Sequence, residues 1–166
     1  TCALVQQALG PRPLDLLVNT HLHSDHCGGN ATLQRQWPQL QTWIPPGQAE
    51  AVRCWDEAQL SYQPTGQRCE AFAVQGLLVP GTTHRWAALE WQVHAAPGHD
   101  PHSVILFAPA AGLLISADEL WQHGFGVVFP ELQDIPAFDA VAATLDLIER
   151  LAPRTVIPGH GAVFHD

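Results

Sequence analysis

The 166-residue chain contains no methionine, a single tyrosine and few charged side chains, which make up 14% of it. It has no apolar run of the roughly 18 residues that a transmembrane helix requires, so no membrane span is predicted. Seven Lys and Arg residues face sixteen Asp and Glu residues, for a formal net charge of −9. This acidic balance argues against a broad surface for the phosphate backbone of nucleic acids. We therefore expect neither a membrane nor a nucleic-acid partner.

The cysteines are also sparse, and they show no C-x-x-C spacing and no disulfide-framework density. The four residues are Cys2, Cys27, Cys54 and Cys69. Isolated and mostly buried thiols are predicted. Cys27 differs from the others because it follows His26, and we favour a packed neutral thiol there over a role beside a functional site.

Length and composition predict one globular domain over residues 1–166, since 46% of the residues are apolar. Helices are predicted at 2–9, 30–37, 46–60 and from 134 to 152. Strands are predicted at 14–18, 41–44, 70–80, 87–96, 103–108, 112–117 and 154–157. The chain begins with Thr1, so we expect its natural N-terminus to be missing, and a signal peptide is left undecided.

The segment Thr20–His26 is the most informative part of the chain. It places His21, His23, Asp25 and His26 directly after the apolar run at 14–18. Imidazole and carboxylate are the ligands that divalent transition metals prefer when sulfur is not involved. An accidental H-x-H-x-D-H match is expected in about one of five hundred such chains. A metal-binding loop is therefore predicted over a polar loop that is only rich in histidine.

Three further candidate ligands follow other predicted strands. His99 ends Pro97-Gly98-His99, His160 follows Pro158-Gly159, and Asp118 comes after the apolar segment 113–116. Loops at strand ends on a rigid scaffold commonly hold metal ligands and catalytic groups. The sequence thus predicts that distant segments contribute to one metal site.

These segments together resemble the signature of the metallo-β-lactamase superfamily, in particular its glyoxalase II-like members. The signature stands here as T-H-x-H-x-D-H-x-G-G at Thr20–Gly29, P-G-H at Pro97–His99, Asp118, and G-H at Gly159–His160. The resemblance implies an α+β fold, a four-layer αββα sandwich with a dinuclear site at one edge. Family members usually have earlier strands before the His loop, so we expect an N-terminally incomplete first sheet and a fragment of a longer chain.

The resemblance also implies the metal ligands. It assigns one ion to His21, His23 and His99, a second ion to Asp25, His26 and His160, and a bridging position to Asp118. Asp25 and Asp118 are the two catalytic carboxylates, because they would anchor the ions. Two divalent ions are expected, with zinc first and iron or manganese as alternatives.

The implied activity is a metal-dependent hydrolase that cleaves a small thioester, ester or lactone with a metal-bridging hydroxide. The alternatives are a mononuclear-iron sulfur dioxygenase-like enzyme, a β-lactamase, and a relative that retains ligands without activity. Trp121 and His123, just after Asp118, are candidate contacts to a small-molecule substrate. A cytoplasmic location is expected, and the oligomeric state stays open.

Overall fold

A computed structural model of the chain describes residues 2–165. Contacts divide the chain into two compact units, with the division between Leu77 and Leu78. Each unit has its own sheet, and the two are described in turn. The prediction of one domain over residues 1–166 stays a prediction.

The first unit contains a small parallel sheet and short helices. Its helices are α1 (Cys2–Leu9), α2 (Ser24–Cys27), α3 (Asn30–Gln36), α4 (Ala49–Cys54) and α5 (Tyr62–Thr65), with a 3₁₀ turn at Pro46–Gln48. Its strands are β1 (Leu16–Val18), β2 (Gln41–Ile44) and β3 (Gly76–Leu77), in the order β1-β2-β3. The predicted helix at 2–9 and the strand at 41–44 are confirmed. Of the predicted strand at 70–80, only Gly76–Leu77 forms.

The predicted helix at 46–60 is wrong beyond Cys54. Trp55 has a φ of 52°, and this left-handed conformation ends α4. The Asp56 carboxylate then accepts hydrogen bonds from the backbone N–H groups of Ala58 and Gln59, both at 3.1 Å. A carboxylate that binds nearby backbone N–H groups offers the chain an alternative to the helix, so it turns here instead.

An apolar core fills the first unit and includes Cys27, the residue after His26. Cys27, Ile44, Leu60 and Tyr62 are almost fully buried in it. The sheet beside it needs a glycine at β3, because a Cβ on Gly76 would lie 2.2 Å from the Trp43 ring. This close approach explains why β3 has no side chain at its first position.

The second unit is built on a six-stranded, mostly antiparallel sheet. Its strands are β4 (Thr83–Trp86), β5 (Leu89–Ala95), β6 (Val104–Ala108), β7 (Leu113–Ala117), β8 (Thr155–Pro158) and β9 (Phe164–His165). They lie in sequence order, and only the β7–β8 pair is parallel. Parallel neighbours need a long crossover, which the helix α6 (Phe138–Leu151) supplies. The predicted strands at 87–96, 103–108, 112–117 and 154–157 are confirmed to within a few residues.

The helix α6 begins four residues later than the sequence predicts. Asp134 has a φ of 58°, and the Glu131 carboxylate accepts hydrogen bonds from the N–H groups of Ala137 and Phe138. A side-chain acceptor at this position satisfies N–H groups that a helix start leaves without partners, so it fixes the start at Phe138. Ile148 on α6 packs into the core formed by Ile105, Phe107, Leu114 and Val156. In the described stretch 2–165, no helix has both the length and the apolar character to cross a bilayer.

Candidate metal centre

The first group of predicted ligands lies on a loop at the end of β1. We call Thr20–His26 the His loop. Asn19 fixes its base, because its side-chain amide donates to the carbonyl of His26 at 3.3 Å and accepts a 2.7 Å hydrogen bond from Asn30. Asn30 is the first residue of α3, and its side chain donates to Asn19.

The short helix α2 folds the His loop so that its imidazoles converge. The ring centroid of His21 lies 4.7 Å from that of His23 and 4.2 Å from that of His26. The Asp25 carboxylate approaches His26, with Oδ2 at 3.5 Å from Nε2. His21 is 1% exposed, whereas the side chain of Asp25 is 56% exposed. The loop therefore gathers three imidazoles and a carboxylate, all of them candidate metal-ligating groups.

The second group of predicted ligands meets around one carboxylate oxygen. We call His99, Asp118 and His160 the aspartate cluster. Asp118 Oδ2 lies 3.4 Å from His99 Nε2 and 3.6 Å from His160 Nε2. Donor atoms around a tetrahedral ion with bonds of about 2.1 Å are separated by about 3.4 Å. Each of these two distances thus fits a pair of donors that share an ion: His99 with Asp118, and His160 with Asp118.

The tautomer of His99 supports the same conclusion. Its Nδ1 is 2.7 Å from the carbonyl oxygen of Val127, and because a carbonyl only accepts, Nδ1 carries the proton. In a neutral imidazole, Nε2 then presents a lone pair toward Asp118 Oδ2. A histidine ligand whose other nitrogen donates to a carbonyl is the usual arrangement at metal sites. The residues therefore fit a divalent cation.

A strained backbone conformation at Ala117 positions Asp118 in the aspartate cluster. Ala117 adopts a φ of 52°, and the pairing of β7 with β8 shifts register between Ile115 and Ala117. Gly159 N–H then donates to the Ala117 carbonyl at 2.7 Å. Bulges and left-handed residues re-aim side chains next to functional sites. Because β7 and β8 are parallel, Asp118 and His160 leave the sheet at the same edge.

The segment Trp121–Phe129, which we call the strap, braces the cluster through its backbone. Gly126 N–H donates to the carbonyl of Asp118 at 2.7 Å, and the Val127 carbonyl holds His99. A Cβ on Gly126 would lie 2.6 Å from His99 Nδ1, so this position requires glycine. The sequence showed the glycines of the strap but gave no reason to link them to His99.

Glu119 is a buried carboxylic acid that the sequence analysis missed. It is 2% exposed, and its Oε2 lies 3.4 Å from the backbone nitrogen of His99, which donates to it. Burial, together with the charges of Asp100 and Asp118, raises the pKa of Glu119 to about 7. A Cβ on Gly98 would lie 2.7 Å from the same oxygen. Its position directly after Asp118 was the one available signal.

Trp121 and His123 both line a depression of about 200 Å³ beside His160. Trp121 also makes a hydrogen bond that the sequence did not predict: its indole N–H donates to Asp118 Oδ1 at 3.3 Å. Its ring also packs edge-on against His160, with centroids 5.4 Å apart. Trp121 therefore leaves Oδ2 as the oxygen of Asp118 that faces both histidines.

The family model of the metallo-beta-lactamase superfamily matches residues 3–160, nearly the whole chain. The chain belongs to this superfamily. A hydroxyacylglutathione hydrolase from Xanthomonas euvesicatoria pv. vesicatoria (strain 85-10) is 34% identical to it over 110 residues. That match covers 66% of this chain but only 34% of the relative.

Solved structures of superfamily members have the same fold. TTHA1623 in a di-iron-bound form is 26% identical, with a TM-score of 0.74 over 99% of this chain and 78% of that one. The BLEG-1 B3 metallo-beta-lactamase is 20% identical, with a TM-score of 0.76 over 99% and 77% of the two chains. These likenesses confirm the predicted metallo-β-lactamase fold and its α+β class.

Proposed function

We propose that the chain is the catalytic part of a dinuclear metal-dependent hydrolase. In this proposal, His21, His23 and His99 would hold one ion, Asp25, His26 and His160 would hold the other, and Asp118 would be a ligand to both. The superfamily membership supports a metal-dependent hydrolase. The convergence of both histidines of the aspartate cluster on Oδ2 of Asp118 is the observation that carries the bridging role.

Bound divalent ions would lower the pKa of a coordinated water toward about 7 and would act as a Lewis acid for a substrate carbonyl oxygen. The chain's own residues orient this chemistry. The Val127 carbonyl keeps the proton on Nδ1 of His99, so Nε2 serves as the ligand atom. The Trp121 indole occupies Oδ1 of Asp118 and leaves Oδ2 for metal. Two carboxylates, Asp25 and Asp118, supply the negative charge that anchors the ions.

We propose a small thioester, ester or lactone as the substrate. Among these three classes, a thioester is favoured, because the similar hydroxyacylglutathione hydrolase is named for a thioester substrate. The depression beside His160 is small and mostly apolar, and Trp121 and His123 both line it. Trp121 and His123 are therefore proposed to contact the acyl group. Zinc is the first candidate metal, and the di-iron form of TTHA1623 makes iron the second.

The test is to assay one metal-analysed sample against a hydroxyacyl thioester, a lactone and a β-lactam. Thioester turnover that disappears with a chelator and returns with zinc or iron is the expected result. Asp118→Asn keeps the shape of the side chain but removes its charge, and it should lower kcat/KM at least about a hundredfold. Asp146→Asn, on the exposed face of α6, is the matched control and should leave kcat/KM unchanged.

Two outcomes would contradict the proposal. One is a metal-loaded protein that turns over none of the three substrate classes. The other is an Asp118→Asn variant that is as active as Asp146→Asn. Oxygen consumption with a persulfide, in place of hydrolysis, would instead favour the dioxygenase alternative.

A further inference from the structure

A pair of thiols lies in the core of the first unit and has no part in the proposed hydrolysis. Cys27 Sγ is 3.9 Å from Cys69 Sγ and 3.1 Å from the hydroxyl of Tyr62. Cys27 is 0% exposed and Cys69 is 8% exposed. The two cysteines are 42 positions apart in the sequence, so only the fold brings them together.

The thiol pair is connected to the His loop in two ways. Cys27 directly follows His26 at the end of α2. The carbonyl of Leu22, which lies between His21 and His23, accepts a 3.4 Å hydrogen bond from Cys27 Sγ. The same carbonyl accepts a 2.7 Å hydrogen bond from the Tyr62 hydroxyl. A change at the Cys27 sulfur therefore acts directly on the backbone that carries the imidazoles.

The two thiols differ in their access to solvent. Cys69 lines a surface depression of about 280 Å³, together with Gly28, Glu57, Gln67, Arg68 and Glu70, whereas Cys27 does not. Where the Cys27 thiol donates to Cys69 in place of the Leu22 carbonyl, this hydrogen bond lowers the pKa of Cys69 to about 7. A thiolate that lines a surface depression, with a second thiol buried behind it, is the arrangement in which one sulfur is oxidised and the other resolves it.

We propose that Cys27 and Cys69 are an oxidation site that forms a disulfide in the presence of a hydroperoxide. In the first step, Cys69 Sγ attacks the peroxide. An S–O bond forms, the O–O bond breaks, Cys69 is oxidised to a sulfenic acid, and the peroxide is reduced to water or an alcohol. In the second step, Cys27 Sγ attacks Cys69 Sγ. The S–S bond forms, the S–O bond breaks, and the thiol proton leaves with the hydroxyl group as water.

The disulfide changes the His loop because the two sulfurs must approach each other. Their separation has to fall from 3.9 Å to a bond length of about 2.05 Å. Cys27 Sγ then no longer donates to the Leu22 carbonyl, and the turn that holds His26 shifts. A weaker metal site in the oxidised protein follows, and this consequence rests on the proposed function.

The cross-link is tested by treating the full chain, free of metal, with one equivalent of hydrogen peroxide. The wild type is expected to lose two hydrogen atoms in intact mass and to give a Cys27–Cys69 peptide in a non-reduced digest. Cys69→Ser, which changes the less buried partner, should give no cross-link. Cys54→Ser, at an exposed cysteine of the same unit, is the matched control and should cross-link like the wild type. Oxygen addition without a cross-link, or a cross-link between other cysteines, would overturn the proposal.

The effect on the metal is tested separately, by titrating zinc into the reduced and the oxidised protein. Oxidation should weaken zinc binding at least about tenfold, and a dithiol reductant should restore it. Peroxide treatment of Cys69→Ser should leave its zinc affinity unchanged. A cross-linked protein with unchanged affinity would contradict the coupling to the His loop. A reduced protein that binds no metal would contradict the proposed function, while the mass measurement would still decide whether the disulfide forms.

Discussion

At the scale of single residues, Trp121 and His123 are both proposed to contact the substrate, but only Trp121 also contacts a proposed metal ligand. Trp121 donates to Asp118 Oδ1, whereas no hydrogen bond ties His123 to a ligand within residues 2–165. Trp121→Phe keeps an aromatic ring beside His160 but removes the N–H donor, so we expect zinc affinity to fall about tenfold. His123→Ala should raise KM and leave zinc affinity unchanged. Zinc titration and steady-state kinetics on both variants check this, and equal effects on zinc affinity would contradict it.

Glu119 should make the stability of the metal-free protein depend on pH. Its pKa is raised from 4.5 to about 7 in the folded chain, mainly by burial. The folded state therefore binds this proton more tightly than the unfolded state, and its contribution to stability is complete below pH 4.5. It is lost as the pH rises toward 7, by up to about 3 kcal/mol.

The measurement for Glu119 is the free energy of unfolding by urea between pH 4.5 and 7, with metal removed. Glu119→Gln stays neutral throughout and still offers an oxygen to the His99 N–H. Relative to this variant, the wild type should lose stability as the pH rises. Parallel curves for the two proteins would show that Glu119 titrates at its ordinary pKa.

At the scale of elements, the strap acts on the metal ligands through backbone groups. Gly126→Ala would place a Cβ 2.6 Å from His99 Nδ1 and 2.9 Å from the Asp118 carbonyl oxygen, so both must move. We expect a loss of metal affinity of about 10- to 100-fold with the far-ultraviolet circular dichroism unchanged. Val127→Ala keeps the carbonyl that holds His99 and removes only a half-exposed side chain, so it should bind metal like the wild type. Similar metal affinities for the two variants would contradict the proposed effect of the strap on the metal ligands.

The helix α6 supplies the core of the second unit with its buried stripe. Ile148 is 5% exposed and packs against the sheet, so Ile148→Ala should lower the free energy of unfolding by about 2–5 kcal/mol. Leu132, which is 72% exposed, provides the control, and Leu132→Ala should change stability by less than about 0.5 kcal/mol. Chemical denaturation of both variants tests the assignment of the buried face.

The sequence predicted those elements whose apolar pattern the structure uses directly. The strand before the His loop and the helix α6 are examples. It did not predict the end of α4, because the apolar pattern continues past Trp55 to the buried Leu60 while the left-handed φ of Trp55 turns the chain. It also missed the strap. Val127 acts through its backbone carbonyl and Gly126 through its backbone N–H. Nearly every residue type has these groups, so the sequence does not reveal that they hold the metal ligands.

At the scale of the whole molecule, metal binding should be coupled to folding. The proposed ligands run from His21 to His160, and an unfolded chain does not hold such distant groups together. Zinc should therefore raise the thermal midpoint in a concentration-dependent way. At a zinc concentration of a hundred times the Kd, the free energy of unfolding should rise by about 2.7 kcal/mol. Two bound ions would also offset part of the net charge of −9. Thermal denaturation with and without a chelator checks this, and identical midpoints would contradict it.

We propose that the seven ligands between His21 and His160 share two ions, and a count of bound metal after dialysis is the decisive measurement. Elemental analysis should find two ions per wild-type chain and fewer than two in both His23→Ala and His160→Ala. His165→Ala, at a histidine of β9 that bonds to Thr155, should retain both ions. Two ions retained in His23→Ala or in His160→Ala would contradict the account.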